Sequence, residues 1–328
     1  MQLIQPTVEQ SLWLLRVVKS ILGPIDSGAV HNLIDASQRH WLQTAYHWEE
    51  LEPLPSTAWA TELSDLLISE PLMAQQLIQS LVILAIVGDR RDWQTYHCIR
   101  QLAHRLKVKN AGLRYLRLWC LKADGLLVFD VYWHGFIAQK YRYEWRRRGW
   151  RWLLGGAATY MGWMQNRALT QQYQQLQGLP THTLGHAFWQ FYQQQHYAFP
   201  GEAQGLHEGL AFHDVTHILG DFDTTSAGEL QAVALTAGYQ QGGDALASLI
   251  FIILQQHLGI QIGLLSQAKQ GGLARSDVAD RFVRAFVAGA AMTVDLSQAW
   301  NFWDAVEQPV AALRQRYNLT LNHPRNTG

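Results

Sequence analysis

The chain has 328 residues, 48% hydrophobic, 11% aromatic and 16% charged, and its 26 basic and 26 acidic residues cancel to a formal net charge of zero. That length supports well-buried cores in one large or two medium domains, and a charged fraction below the roughly 25% of an average domain leaves much apolar surface to bury or to present. Neutral charge argues against nucleic acid as a partner, whereas 14 tryptophans suit large cores, lipid pockets or membrane interfaces.

The opening MQLIQPTVEQSLWLLRVVKS lacks the basic n-region and small-residue cleavage site of a signal peptide, so a cytoplasmic location is expected. Leu14, Val17, Val18 and Ile21 share one helical face, and LGPIDSG at 22–28 ends that helix. LEPLPST at 51–57 reads as a loop, and Pro71 suits the first turn of a helix. Ile99, Leu102, Ala103 and Leu106 mark another helix. Cys98 and Cys120 fit no metal or redox spacing and read as buried reduced thiols. GLLVFDVYW at 125–133 is the one strand-like run; with nothing to pair with, it reads as helix or loop.

Composition changes at 139–178, from QKYRYEWRRRGWRWLLGG into the glutamine-rich TQQYQQLQG. This divides the chain into an N-terminal helical domain at 1–138, a connecting segment at 139–174 and a C-terminal helical domain at 175–328. Within the connecting segment, Arg146, Arg147, Arg148 and Trp150 belong to a basic–aromatic mixture that suits an anionic membrane surface. The alternatives are a surface helix whose rings pack inward while the arginines stay wet, and a contact with nucleic acid, which the neutral overall charge disfavours.

LPTHTLGHAFWQFY at 179–192 reads as loop then helix, and Leu230, Val233, Ala234 and Ala237 mark a further helix. The most apolar run, ALASLIFIILQQHLGIQIGLL at 245–265, is clean only over Leu249–Leu254 before Gln255, Gln256 and His257 interrupt it. A membrane span needs roughly 20 apolar residues, so this is expected to be a buried helix, lining an apolar cavity or simply packing in the core. Phe282, Phe286 and Gly289 share a face, and Pro309 marks a last helix start. No segment alternates with a period of two between hairpin turns, so the fold class is all-α.

One stretch carries chemistry: FHDVTHILGDFDTTSAGEL at 212–230. His213 and His217 lie at i and i+4, so a helix presents both imidazoles from one face, and two imidazoles at that spacing can reach one divalent ion. Asp214 lies about 100° round the helix, to ligate from the edge or to orient an imidazole. Glu229 opens a second helix after a turn-rich link, and a helix–loop–helix hairpin returns it to His217. Two histidines and two carboxylates suit zinc, iron or manganese better than a soft metal. Against this, Ser226 and Glu229 also form a capping box, and both histidines could be core residues. His182 and His186 repeat the spacing without nearby acids. No GxSxG, GxxxxGK or GxGxxG is present, and the His213–Asp214 dipeptide alone also resembles metal-dependent phosphohydrolases.

The pattern His213-Asp214-Val215-Thr216-His217, eleven residues, Glu229 resembles the signature of the coenzyme Q biosynthesis protein 4 family. LPTHTLGHAFWQFY, Gly220, the Gly228–Glu229 pair and WNFWDAVEQPVAALRQRYNL extend the resemblance over roughly 175–322. LVILAIVGDRRDWQTYHCIRQLAHRLKV at 81–108 resembles a tellurite-resistance, TerB-like helical module, with its acidic turn diluted by Arg90 and Arg91. The family resemblance implies an all-α protein of ubiquinone biosynthesis that decarboxylates and hydroxylates a prenylated hydroxybenzoate-type intermediate. It implies a metal on His213, Asp214, His217 and Glu229, with zinc first and iron, manganese or magnesium as alternatives. It also implies an apolar channel for the isoprenoid tail, for which Tyr192, Phe251, Leu254 and Phe286 are the candidate lining residues. Expected partners are the prenylated quinone precursor or another isoprenoid lipid, other quinone-biosynthesis enzymes, a membrane surface touched peripherally, and a second copy in a homodimer. The alternatives are a non-catalytic isoprenoid-binding scaffold and a metal-dependent phosphohydrolase. HEGLAFHD lacks the arginines that precede the motif in eukaryotic members, and LQAVALTAG follows it where they carry Lys and Glu.

Overall fold

The computed structural model describes residues 3–23, 27–42, 44, 46–54, 71–109, 112–241, 244–262 and 266–321. The described residues form fifteen α-helices and no strand, as the periodicity requires; two isolated bridges, Thr183 with Pro309 and Leu258 with Gln270, are the only β-type pairing among them. The chain forms two compact units that are not contiguous in sequence: one is Gln2–Tyr132 with Leu246–Val287, the other Trp133–Ala245 with Ala288–Gly328. Helices at the two C-terminal stretches thus belong to different cores, a grouping that the linear order does not suggest.

In the first unit, α1 (Val8–Leu22) starts with a reciprocal cap. Thr7 Oγ1 accepts from the Gln10 amide at 3.2 Å, and the Gln10 side chain accepts from the Thr7 amide at 2.8 Å. The helix stops at Gly23, whose φ of 61° favours glycine. It is followed by α2 (Gly28–Ser37), α3 (Pro71–Val87), α4 (Trp93–Arg105), α5 (Gly112–Cys120) and α6 (Asp124–His134), the last formed from the strand-like run. Eleven of the seventeen residues of α3 are buried, so α3 is the central helix, and it packs against α1, α2, α4 and α5. The loop expected at 51–57 lies partly outside the described residues, and Leu51–Leu54 have no helix. Between α3 and α4, Arg91 pairs with Asp89 and Asp124 and lies 3.5 Å from the Trp119 ring centroid, so the turn between the two helices is charge-compensated. Cys98 and Cys120 are free thiols, and burial raises the Cys120 thiol above its ordinary pKa.

The most apolar run forms α13 (Ala245–Gln256). Its terminal amides are absorbed by the following loop: Gln255 Nε2 donates to the Ser266 carbonyl at 2.9 Å and Gln256 Nε2 to that of Gln267 at 3.1 Å. His257 Nε2 lies 3.1 Å from the Val87 carbonyl, and its Nδ1 accepts from the Leu273 amide at 3.3 Å. No described helix is long and apolar enough to cross a membrane. With α14 (Ser276–Ala290), this segment closes an apolar cavity of about 120 Å³ lined by Leu14, Leu77, Leu249, Phe282 and Phe286 among others.

The second unit contains α7 (Phe136–Arg148), α8 (Trp150–Tyr160), α9 (Arg167–Gln175), α10 (Leu184–Gln195), α11 (Ala211–Gly220), α12 (Ser226–Tyr239) and α15 (Val310–Arg316). The glutamine-rich stretch is therefore helical in α9. Its core is an aromatic cluster in which Tyr173, Phe188, Tyr192, Phe199 and Phe302 meet at ring-centroid distances of 4.5 to 6.5 Å. The site helix α11 packs against α10, α12 and α15, which fixes it on three sides.

Candidate metal centre

The candidate site is built by a short helical hairpin. Helix α11 carries His213 and His217 one turn apart, with their rings edge to face at 4.9 Å. It ends at Asp221, which adopts the left-handed conformation (φ 52°, ψ 45°) and turns the chain. Arg314 on α15 caps the same end, donating from Nε to the Leu219 carbonyl at 2.8 Å and from Nη2 to that of Ile218 at 3.2 Å. A cation at a helix C-terminus also opposes the helix dipole.

Asp223 in the link has two roles. Its Oδ1 accepts from the Thr225 amide at 3.0 Å and from the Thr225 hydroxyl at 2.5 Å. Thr225 is the N-cap of α12, its hydroxyl accepting from the Gly228 amide at 3.4 Å. The Asp223 carbonyl accepts from His217 Nδ1 at 3.0 Å. That bond assigns the Nδ1 proton and leaves the Nε2 lone pair free to ligate. Gly228 is required at its place, because a Cβ there would lie 1.9 Å from the Asp223 carbonyl oxygen.

The capping box read from Ser226 and Glu229 is not the start of α12: Thr225 caps the helix, Ser226 is its first residue, and the Glu229 carboxylate faces the histidines. His213 Nε2 is 3.3 Å from Glu229 Oε2, and His217 Nε2 is 3.5 Å from Glu229 Oε1. One ligand atom from each of the three residues lies within 4.8 Å of the others. A tetrahedral ion with bonds of about 2.0–2.1 Å needs ligand atoms about 3.3 Å apart; each imidazole lies near that distance from one Glu229 oxygen, His213 from Oε2 and His217 from Oε1. His213 Nδ1 is buried without a hydrogen-bond partner, while Phe136 stacks on the ring at 6.1 Å. One nitrogen of that ring therefore has a capacity that the protein alone does not satisfy. His217 is 1% exposed, but His213 and Glu229 are 20% and 18% exposed, so the centre is open on one side. The donor set, two imidazoles and a carboxylate, is chemically suited to a divalent cation.

Asp214 is not part of this group. Its Oδ2 accepts from the Tyr192 hydroxyl at 2.6 Å, with both residues buried. Burial pushes the Asp214 carboxyl up to about 6, opposed by the His213 charge and the Tyr192 hydrogen bond. Burial, with the like charge of His213, holds His217 down to about 4, so its imidazole is neutral at physiological pH. For His213, burial disfavours the charged form, but the Glu229 bond and charge outweigh it and raise the pKa. Burial also opposes ionisation of Glu229, yet the two histidines keep its pKa below the ordinary value. His213 and Glu229 therefore favour each other's charged forms.

The other expected residues are dispersed. Tyr192 holds Asp214; Phe286 lines the apolar cavity of the other unit, as does Leu249; Phe251 and Leu254 are buried but not among its lining residues. His186 sits on α10 with Nδ1 3.2 Å from the Gln177 carbonyl, and His182 lies in the preceding turn, so their spacing does not produce a shared helical face. Arg146, Arg147 and Trp150 are exposed, while Arg148 pairs with Glu144 at 3.1 Å and with Glu208. Sequence reasoning missed Arg314, Asp223 and Thr225. The Asp-x-Thr of the link is a usable cap signal, whereas Arg314 is 95 residues from its acceptor and has none.

No family model, curated protein or solved structure matches the chain.

Proposed function

We propose that His213, His217 and Glu229 hold a divalent metal, zinc in the first instance. We further propose that the protein uses this centre to remove the ring carboxyl from a prenylated hydroxybenzoate-type intermediate of quinone biosynthesis. The single observation that carries the metal reading is the convergence of three ligand atoms within 4.8 Å, from two helices, with His217 pre-oriented by the Asp223 carbonyl. A bound cation supplies positive charge for a carboxylate or phenolate oxygen. The chain's own groups supply the rest. Phe136 and Phe191 flank the two imidazoles at 6.1 and 5.9 Å and limit their movement. Asp214, with its carboxyl at about 6, is an acid–base group beside the centre. Loss of the carboxyl as CO2 leaves an electron pair on the ring carbon, and a proton takes the vacated place; hydroxylation at that carbon would need molecular oxygen and an external two-electron donor, the second oxygen atom leaving as water.

The substrate class rests on the family resemblance of residues 175–322. The apolar cavity of about 120 Å³ favours a second reading, an isoprenoid-binding scaffold without turnover, because burying each CH2 of a tail contributes about 0.8 kcal/mol whether or not chemistry follows. Metal analysis of wild type, His217→Ala and Glu229→Gln tests the centre: one bound metal per wild-type chain and loss in both variants are expected, and unchanged metal in both rules it out. Incubation of the metal-loaded protein with a prenylated hydroxybenzoate then separates the readings. CO2 release supports the enzyme, and tail binding without CO2 supports the scaffold.

A further inference from the structure

Helix α8 carries its apolar residues on the wrong side for a surface helix. Trp150, Leu154, Ala157 and Met161 follow at intervals of four, three and four, so they form one stripe along the helix and its C-terminal turn. All four are exposed. On its other side, Thr159 is buried and donates to the Gly155 carbonyl at 2.9 Å, and the half-buried Trp152 donates from Nε1 to Glu208 at 2.7 Å. The stripe continues past the helix. Gly162, at φ 76°, reverses the chain. The Trp163 and Met164 amides then both donate to the Ala158 carbonyl, at 2.8 and 3.3 Å. Trp163 is thereby held outward in a hydrogen-bonded turn at 77% exposure. Trp145, Trp150, Leu154, Met161, Trp163 and Met164 are each more than half exposed within twenty residues.

Charge follows the same segment. Between Glu144 and Glu202 the chain contains no acidic residue, but it contains Arg146, Arg147, Arg148, Arg151 and Arg167. Arg148 is engaged by Glu144 and Glu208. Arg146, Arg147 and Arg151 are exposed and have no carboxylate partner among the described residues. Arg147 and Arg151 lie 5.5 and 5.7 Å from the rings of Tyr143 and Trp150, so cation and ring are presented together. In a chain of zero net charge this is a local cationic segment, at the end of α7 and the start of α8, beside an unburied apolar stripe in sequence.

We propose that the outward face of α8 and the turn at 161–164 dock in the plane of an anionic lipid bilayer. Rings and thioethers would sit at headgroup depth, and Arg146, Arg147 and Arg151 on lipid phosphates. Eleven residues make a helix about 16 Å long, too short to span, so it lies in the interface. Leu154, Met161 and Met164 favour lipid over nucleic acid, whose backbone offers aliphatic side chains nothing. The inference is independent of the metal centre.

The test uses the full chain with vesicles of 70:30 phosphatidylcholine and phosphatidylglycerol, against pure phosphatidylcholine. The wild type is expected to pellet with the anionic vesicles, with tryptophan emission quenched by brominated acyl chains, and to bind the neutral ones far less. Arg147→Glu with Arg151→Glu is expected to weaken binding by at least about twentyfold, at roughly fivefold per arginine. Trp163→Ser with Met164→Ser is expected to weaken vesicle binding and reduce the quenching while leaving the circular dichroism melt unchanged, because both side chains are already in water. Three results each overturn the proposal: no pelleting of the wild type, pelleting of both double variants at wild-type levels, or a wild-type dimer that Trp163→Ser with Met164→Ser converts to monomer without any vesicle binding.

Discussion

Replacing Tyr192 by Phe isolates one hydrogen bond at the edge of the site. The ring stacks on Phe188 at 4.5 Å and on Phe199 at 5.1 Å, and a phenylalanine keeps both contacts. What is lost is the 2.6 Å bond from the hydroxyl to Asp214 Oδ2. A bond to a buried charged group contributes about 1.5–3 kcal/mol, against about 1 kcal/mol for a neutral pair. Which figure applies depends on pH, because burial sets the Asp214 carboxyl at about 6. At pH 8 Asp214 is ionised and the variant should lose about 2 kcal/mol. At pH 5 Asp214 is protonated in both proteins, and the loss should shrink to about 1 kcal/mol. Urea denaturation of metal-free wild type and Tyr192→Phe at the two pH values measures this directly. A variant within about 0.5 kcal/mol of wild type at pH 8, or a deficit that grows toward acid, refutes the reasoning.

Three further outcomes are expected. Gly228→Ala places a Cβ 1.9 Å from the Asp223 carbonyl oxygen, which is backbone and cannot move aside; stability should fall by about 3 kcal/mol and metal affinity by more than tenfold, and a variant that binds zinc like the wild type contradicts the packing described. His207 and His257 each use a ring nitrogen as acceptor, from the Gly209 amide at 3.0 Å and the Leu273 amide at 3.3 Å, and burial holds both below their ordinary value of 6.5. A lowered folded pKa means that their contribution is complete above about pH 6.5 and is lost as pH falls through the folded values; the stability gap between wild type and His257→Asn should therefore narrow from pH 7.5 to pH 5, and a widening gap counts against this. Leu81→Ala, at a fully buried position on α3, should cost about 2–5 kcal/mol in thermal or chemical unfolding, and a loss under 1 kcal/mol means that α3 is not central to its unit.

Much of this architecture was legible because it is periodic. Leu14, Val17, Val18 and Ile21 on α1, and Leu230, Val233, Ala234 and Ala237 on α12, are all buried where spacing put them. The histidine pair on α11 and the return of Glu229 were legible for the same reason, since both depend on helix geometry and a short link. Asp214 was not, because its partner Tyr192 comes from another helix and the choice between ligand and hydrogen-bond acceptor is made by tertiary packing. The pairing of 246–287 with the N-terminal helices was illegible too: an apolar helix face carries no mark of which apolar face it meets. For α8, the sequence marked Arg146, Arg147, Arg148 and Trp150 as a basic–aromatic segment but not the exposed stripe that follows, as Trp150 and Leu154 read the same whether they face a core or water.

The shortness of the hairpin has a consequence for the order of events. His213 and Glu229 are sixteen residues apart, so bringing them together closes only a small loop, at modest entropic cost. Arg314, which finishes the end of α11, arrives from 95 residues downstream. The ligands can therefore meet, and capture an ion, while most of their surroundings are still unfolded. If the proposed centre binds zinc, zinc added at the start of refolding should protect the amides of α11 and α12 from hydrogen exchange before those of α15, so that the hairpin acts as a nucleus for its unit.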